Sequence, residues 1–499
     1  MPAVLGMTDA YRLLGDKTLA SLTRRRRWRD LMVLWWRLFY GTLGSRWCVA
    51  LLRFLIFVAD RVKPGAALAV LETRIGESWP RHVPGWVNIH MSALFWKLRR
   101  RSIPQDRRRP NSLRRESRPL RIGCFGAFSG ALGFPVSLFE GFPTEHALFI
   151  YDMQYQGQLA PALEGLAQQY RPVNLETATV YSDAVRAAAD GINADDLDLL
   201  LIIRRKMAAY DVLDRVTTPC IAFVCTGSDI HHHPNVDFNF YCQPEADFFP
   251  VGNDLFCGFT RRPVPGRVVY PSHLCYDPRD LDLTSISPRW EERRPLIVFH
   301  GSLYKLASEP FLDCLFGLMA ELGDVEFAFM GKHWGDALRR VHESACRWGV
   351  GERVHYEGAF SAMRDAEGRI TDPGWHRLVE LLRSARLAPD PWPIGGASTR
   401  FEAYVLGAPT VHMGVRTDAA SWGQPQPALL EVPNLLVPEG TTHSVDGYRA
   451  LSVRCLRDGS FANKLAQLQR QRALDACVPS EYWQMILRGL DTWEEDRCA

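Results

Sequence analysis

The residues best suited to chemistry lie in one stretch, Arg386 to Gly414, which reads RLAPDPWPIGGASTRFEAYVLGAPTVHMG. Its pattern is strand, small-residue loop, short helix, strand. Gly395, Gly396 and Ala397 let a backbone approach a ligand closely. Ser398 and Thr399 follow where a helix N-terminus presents unpaired N–H groups at the positive end of its dipole, so a mono- or diphosphate is the natural occupant. Glu402 comes one turn later, where its carboxylate can accept hydrogen bonds from ribose hydroxyls. Gly407 ends the helix and APTVHM resumes the sheet. Taken alone, the stretch is equally an ordinary crossover with an ordinary cap, because glycine-rich loops are common.

A second segment upstream, PLIVFHGSLYKLASEPFLDCLFGLMAEL, is again a buried strand (Leu296 to Phe299) that turns through a short loop into an amphipathic helix. Lys305 lies at the turn. A lysine there can reach the phosphates of a nucleotide held by the other loop and offset charge on a leaving diphosphate. The plain alternative is a solvated surface lysine.

Together the two loops resemble glycosyltransferase family 41, the O-GlcNAc transferase and SPINDLY-like enzymes with the bacterial adhesin N-glycosyltransferases. HGSLYKL is similar to that family's F-x-x-x-Y-K segment, and the resemblance implies that Lys305 contacts the donor diphosphate. GGASTRFEAYVLGAPTVHM is similar to its N-G-H-T-T-G-x-D-x-L-x-x-G-x-P-x-V-x-M segment, which implies Ser398 and Thr399 as the phosphate-binding pair and Glu402 as the ribose-binding acid. VVYPSHLCYDPRDL and SVRCLRDGSFANKLAQLQRQR extend the likeness, which covers about Leu120 to the C-terminus. This chain departs from the family at three points: Ala397 replaces its loop histidine, Glu402 its aspartate, and GCFGAFSGALGFPVS lacks the histidine of its first domain.

The elements that must hold these residues follow from pattern. From Leu120 onward, apolar runs alternate with helical stretches: LRIGCFGAF, HALFIYDM, a helix from Tyr181 to Asp190, LDLLLII, PCIAFVCTG and VDFNFYC. A second series starts at Pro295 with LIVFH, VEFAFMG, RVHYEG, RLAPD and PTVHM. Continuous apolar strands with helical crossovers predict parallel sheets covered on both faces. The Pro- and Arg-rich stretch from Arg262 to Arg294 reads as the connector between them. The expected fold class is α/β: a GT-B architecture of two Rossmann-like domains facing a cleft, with the ligand at strand C-termini, preceded by a small helical region. The expected domains are a basic helical region and linker (1–119), an acceptor domain (120–290) and a nucleotide-sugar domain (291–499).

The chain has 499 residues, 47% hydrophobic and 23% charged, which suffices for several cores. Its net charge of +3 hides an asymmetry: up to Arg118 there are 24 Lys+Arg against 8 Asp+Glu, and after it 35 against 48. The basic part carries RRRRWRDLMVLWWRLFYGTLGSRWCVALLRFLIFVADRV, where Arg37, Arg46 and Arg53 break the roughly 20 apolar residues needed to span a bilayer. It reads as a packed helical domain or as interfacial helices on an anionic membrane surface. KLRRRSIPQDRRRPNSLRRESRP reads as a solvated linker, not a nucleic-acid site, because nothing aromatic is interleaved. Twelve cysteines without a CxxC pair, several inside apolar runs (Cys124, Cys225, Cys314), read as reduced core residues of a cytoplasmic protein, and no signal peptide is recognisable.

Three further groups are candidates. Lys332 follows VEFAFMG and can add a second cation near the phosphates, or lie on the surface. His376 starts a helix at about the place where the family carries a base-stacking histidine; an ordinary surface histidine is the alternative. GSDIHHHPNVD is the most polar run of the first domain. Adjacent histidines point apart, which argues against a metal site, so Asp229 or one of His231, His232 and His233 is read as a general base on the acceptor, or the run as a structural loop.

The resulting expectation is an inverting, metal-independent glycosyltransferase with no cofactor, using a nucleotide-diphosphate sugar, a UDP-hexose or UDP-GlcNAc, in the cytoplasm or at the inner face of the membrane. The resemblance implies a protein or peptide acceptor. The alternatives are a lipid-linked or cell-surface glycan as acceptor, and a non-catalytic nucleotide-sugar-binding protein that keeps the fold.

Overall fold

The structure is a computed structural model. It describes residues 118–498 apart from 127–137, 140, 153–164, 166, 174–180, 204–211, 225–232, 234, 241–247, 252–253, 258–261, 264–265, 277–280, 282–287, 333–336, 362–369, 393–394, 397 and 415–432. The chain divides into two units, Met1–Gln105 and Asp106–Ala499. The first unit, and with it the expected N-terminal helices, lies outside the described residues.

In the second unit the chain opens with β1 (Arg121–Gly126), β2 (Ala147–Asp152) and β3 (Gln169–Pro172), then α1 (Tyr181–Ala194), β4 (Leu199–Ile203), β5 (Cys220–Val224) and β6 (Phe238–Phe240). A small antiparallel sheet of β7 (Phe248–Val251), β8 (Asp254–Cys257) and β9 (Arg262–Pro263) precedes β10 (Arg267–Val269). The main sheet has the order β3-β2-β1-β4-β5-β6-β10 with every pair parallel. Its central strands are buried throughout, Leu199–Ile203 being LLLII, because helical crossovers leave neither face to water.

The region from Arg262 to Arg294 is a connector only beyond Val269. Its first residues form β9 and the edge strand β10, held by Arg267 N–H donating to the Asp237 carbonyl at 2.7 Å. An edge strand with one solvated side has the composition of a linker, which is why the sequence does not separate the two. The strand β3, QYRP, escapes for the same reason: it is half-exposed and carries a single aromatic residue.

The second sheet contains β11 (Leu296–His300), then helix α2 (Glu309–Leu322), β12 (Glu326–Met330), α3 (Ala337–Arg347), β13 (Val354–Tyr356), α4 (Pro373–Ser384), β14 (Ala388–Pro389), α5 (Ser398–Val405), β15 (Thr410–Met413) and β16 (Thr441–Thr442). Two parallel three-stranded ladders, β11-β12-β13 and β14-β15-β16, meet where Ile297 bridges Leu387, giving β13-β12-β11-β14-β15-β16. Strand order reverses between β11 and β14. In doubly wound sheets ligands bind outside the carboxyl ends of the strands at that reversal.

Three helices close the chain: α6 (Val445–Arg457), α7 (Gly459–Ala476) and α8 (Pro479–Cys498). On α7 the Gln469 amide clamps β15, accepting from Thr410 N–H at 2.8 Å and donating to its carbonyl at 2.6 Å. Helix α8 leaves the second domain and packs on the first: Tyr482, Trp483, Ile486 and Leu490 share one core with β1, β2, β4 and β5. Trp483 is fully buried, donates its indole N–H to the Leu138 carbonyl at 2.5 Å and meets the Phe142 ring edge-on at 4.9 Å. The sequence range 291–499 therefore ends in a helix that belongs to the core of the first sheet.

Candidate functional site

The reversal point gathers most of the sequence-selected residues. After β11 the chain makes a tight turn at Gly301 (φ +125°) and a single 3-10 turn over Leu303–Ala307, which carries Lys305. After β14 it runs through Asp390 and Trp392 to Gly395 and Gly396 and enters α5 at Ser398. The Lys305 ammonium donates to the Gly395 carbonyl at 2.7 Å, so the two loops touch. A Cβ on Gly301 would stand 3.0 Å from the Thr399 methyl group, so the end of β11 abuts the first turn of α5. Ser398 and Thr399 are half-buried at that turn.

Helix α5 is buried nearly all round: Arg400, Phe401, Glu402, Ala403, Tyr404 and Val405 are all shielded from solvent. A helix without a solvated face must neutralise its charges internally. It does so twice. Arg400 Nη2 donates to Asp390 Oδ2 at 2.6 Å, and Glu402 Oε2 lies 2.7 Å from His300 Nε2. Asp390 also accepts from the Gly396 N–H at 2.8 Å and from His412 Nδ1 at 2.6 Å, while its own carbonyl accepts from the Tyr448 hydroxyl at 3.1 Å. Burial alone would raise the Asp390 carboxyl. The Arg400 charge and the hydrogen bonds from His412 and Gly396 outweigh it and hold the group well below the usual carboxylate range.

This carboxylate braces the glycine loop from beneath. A Cβ on Gly395 would lie 2.8 Å from Asp390 Oδ2, and one on Gly396 would overlap the Thr399 hydroxyl, so the loop accepts no larger residue at either position. Lys305 is half-buried, and its pKa is pushed down to about 8: burial is the main cause, Arg400 acts in the same direction, and Asp390 and Glu402 oppose it. The ammonium, stripped of much of its water and held on the Gly395 carbonyl, stands beside the start of α5, an arrangement that can hold an anion.

Lys305, Gly395, Gly396, Ser398, Thr399 and Glu402 thus form one group. Lys332 is exposed at the C-terminal end of β12, next to Gly331, whose missing side chain leaves room for the Gly301 carbonyl. His376 is exposed on the first turn of α4, and its ring makes no hydrogen bond or ion pair among the described residues. Its neighbour Trp375 packs inward on Phe360 (6.0 Å), which in turn meets His300 (6.2 Å). Asp229, His231 and His232 lie outside the described residues. His233 is fully buried: Nε2 donates to Asp214 at 2.9 Å and Nδ1 accepts from the Asn235 N–H at 3.1 Å. With both ring nitrogens engaged it is structural, which removes it from the candidate bases.

Four residues that brace the group, His300, Asp390, Arg400 and His412, were not selected from the sequence. The available signal was charge out of place: an aspartate ending an apolar strand directly before a glycine loop, and an arginine inside a short apolar helix.

No family model matches the chain, and no curated protein sequence matches it. Among solved structures it is similar to a mutant O-GlcNAc transferase from Thermobaculum terrenum, with TM-score 0.63 and 17% identity over 94% of this chain and 85% of that one. It is also similar to sucrose-phosphate synthase from Thermosynechococcus elongatus (TM-score 0.50, 11% identity, 75% of this chain and 99% of that one). HepE from Anabaena in complex with UDP matches at TM-score 0.50 and 12% identity, over 75% of this chain and 100% of that one. At these identities the shared property is the fold, an α/β GT-B arrangement of two Rossmann-like domains.

Proposed function

We propose that this protein is an inverting glycosyltransferase that takes a sugar from a UDP-sugar, a UDP-hexose or UDP-GlcNAc, and passes it to a protein or peptide acceptor. The observation that carries the reading is the contact of the Lys305 ammonium with the glycine loop at the start of α5, 2.7 Å from the Gly395 carbonyl, at the reversal of strand order. The motif likeness to family 41 and the folds of an O-GlcNAc transferase and of a protein holding UDP support it.

In this reading the diphosphate rests on the N–H groups of α5 with the Ser398 and Thr399 hydroxyls. Lys305 turns from the Gly395 carbonyl to the phosphate oxygens, and Glu402 accepts from the ribose. An acceptor oxygen or nitrogen attacks the anomeric carbon, the bond to the diphosphate oxygen breaks, and UDP leaves with its charge met by Lys305 and the helix dipole. These groups of the chain supply the positive charge at the leaving group, so the reading is metal-independent, and the nucleotide sugar is a substrate with no further cofactor. The acceptor's proton goes to a base for which Asp229 and His231 remain the proposed candidates; Lys332 and His376 are proposed as a second cation and a base contact. A lipid-linked or cell-surface glycan is the alternative acceptor, supported by the basic, Trp-rich residues before Arg118 and the anionic membrane they suit. Among the described residues no helix is long and apolar enough to cross a membrane.

The test is incubation with UDP- and GDP-sugars, read by mass spectrometry of released nucleotide. Release from one or more UDP-sugars is expected. Nucleotide binding without release under any acceptor condition would favour a non-catalytic binder, and no binding at all would sink the reading.

Lys305 also sets a pH dependence. Its ammonium is charged below about 8 in the free protein. A bound diphosphate favours the charged form, so UDP affinity should hold up to about pH 8 and then fall by up to roughly tenfold per pH unit. Stability changes in the opposite sense: the unfolded lysine titrates near 10.5, so between the two values the unfolded chain binds more protons and the fold gains stability as pH rises. Calorimetric titration at pH 7, 8 and 9 should show the loss in the wild type and a flat profile in Lys305→Met. A flat wild-type profile would show that the ammonium does not meet the phosphates.

A further inference from the structure

We infer that His300 is a positioning and specificity-determining residue: it holds Glu402 in the orientation that selects a ribonucleotide over a deoxyribonucleotide. The inference rests on the nucleotide-sugar reading above and deepens it. Thr399 and Glu402 are three residues apart on α5 and so share a face, and both meet the end of β11, Thr399 beside Gly301 and Glu402 on His300. His300, the last residue of β11, meets that face from the side, 2.7 Å from one Glu402 oxygen. An ionised carboxylate only accepts, so the hydrogen sits on Nε2 of the imidazole.

Both side chains are buried, with 3% of His300 and 6% of Glu402 exposed. Enclosure already narrows the carboxylate's rotation, and the histidine fixes one of its two oxygens. Among the described residues the other oxygen has no hydrogen-bond partner. An acceptor with spare capacity that solvent still reaches, at the carboxyl edge of the sheet and one turn from the phosphate-facing residues, suits a donor from the ligand, and the hydroxyl groups of a ribose are such donors. The Phe360 ring also neighbours the imidazole, with centroids 6.2 Å apart. The geometry is a relay in which His300 touches no ligand atom and acts through Glu402.

The test compares the affinity of the full chain for UDP and for 2′,3′-dideoxy-UDP. The wild type should prefer UDP by on the order of tenfold or more, the effect of one or two hydrogen bonds to a charged group. The amide nitrogen of glutamine falls near the Nε2 position of a histidine and that of asparagine near Nδ1, so two polar variants of similar character separate positioning from packing. His300→Gln should keep most of the preference. His300→Asn should lose it to about the level of Glu402→Gln while its affinity for dideoxy-UDP stays within about threefold of wild type.

An unchanged preference in His300→Asn, or an equal loss for both nucleotides, would overturn the inference and leave His300 as packing. A wild type that binds both nucleotides alike would overturn it while leaving the nucleotide reading in place. A wild type that binds neither would remove both.

Discussion

Lys305→Met should lower sugar transfer by on the order of 10²-fold or more and leave the fold intact. The ammonium is the mobile cation of the site: Arg400 is committed to Asp390, whereas Lys305 is held by one bond to a loop carbonyl, which a phosphate oxygen can replace. The charge on the leaving diphosphate grows as the glycosidic bond breaks, so a cation there favours the transition state over the ground state and its loss falls on kcat as well as on binding. The fold should tolerate the change, because burial already presses Lys305 toward its neutral form and methionine fills a similar volume. Steady-state kinetics, UDP affinity and thermal unfolding of the variant together check it. Turnover at the wild-type rate would end the assignment of Lys305 to the leaving group.

How much of this arrangement was legible in the sequence depended on the range of the interaction. Leu296–His300 and Leu199–Ile203 were readable because a strand buried on both faces is a continuous apolar run, whatever it packs against. The glycine loop and the start of α5 were readable because small residues followed by Ser398 and Thr399 are a local signal with a local cause. The pairing of Asp390 with Arg400 and His412 was not, although the residues lie within 22 positions of one another. Each is an ordinary polar residue until the sheet brings β14, α5 and β15 side by side. The return of α8 to the first sheet was hidden for a related reason, since the apolar face of an amphipathic helix does not say which core it completes. The resemblance singled out Glu402 but was silent on His300, whose role exists only through the 2.7 Å contact.

Asp390→Asn should cost about 3–5 kcal/mol of stability, the range for breaking a buried ion pair from one side. Asp390 is 4% exposed and Arg400 1%, so the variant leaves a guanidinium in the interior opposite a neutral amide that must satisfy Gly396, His412 and Arg400 with a single acceptor oxygen. The same amide brings an N–H pair into a site built of donors. Linkage gives an independent sign. The folded carboxyl titrates below its ordinary 3.8, so its contribution is complete above that value and is lost as the pH falls toward the folded value. The stability gap between wild type and Asp390→Asn should therefore be full at pH 7 and narrow below pH 3.8. Removing the stranded charge as well should recover part of the loss: Asp390→Asn with Arg400→Met is expected to be more stable than Asp390→Asn alone, because a buried pair replaced on both sides leaves no uncompensated ion. Urea unfolding of the three proteins at pH 7 and pH 3 measures all of this. A single-variant cost under about 1 kcal/mol, or a double variant less stable than the single, would mean that Arg400 is balanced by something other than Asp390, and the glycine loop would then need another brace.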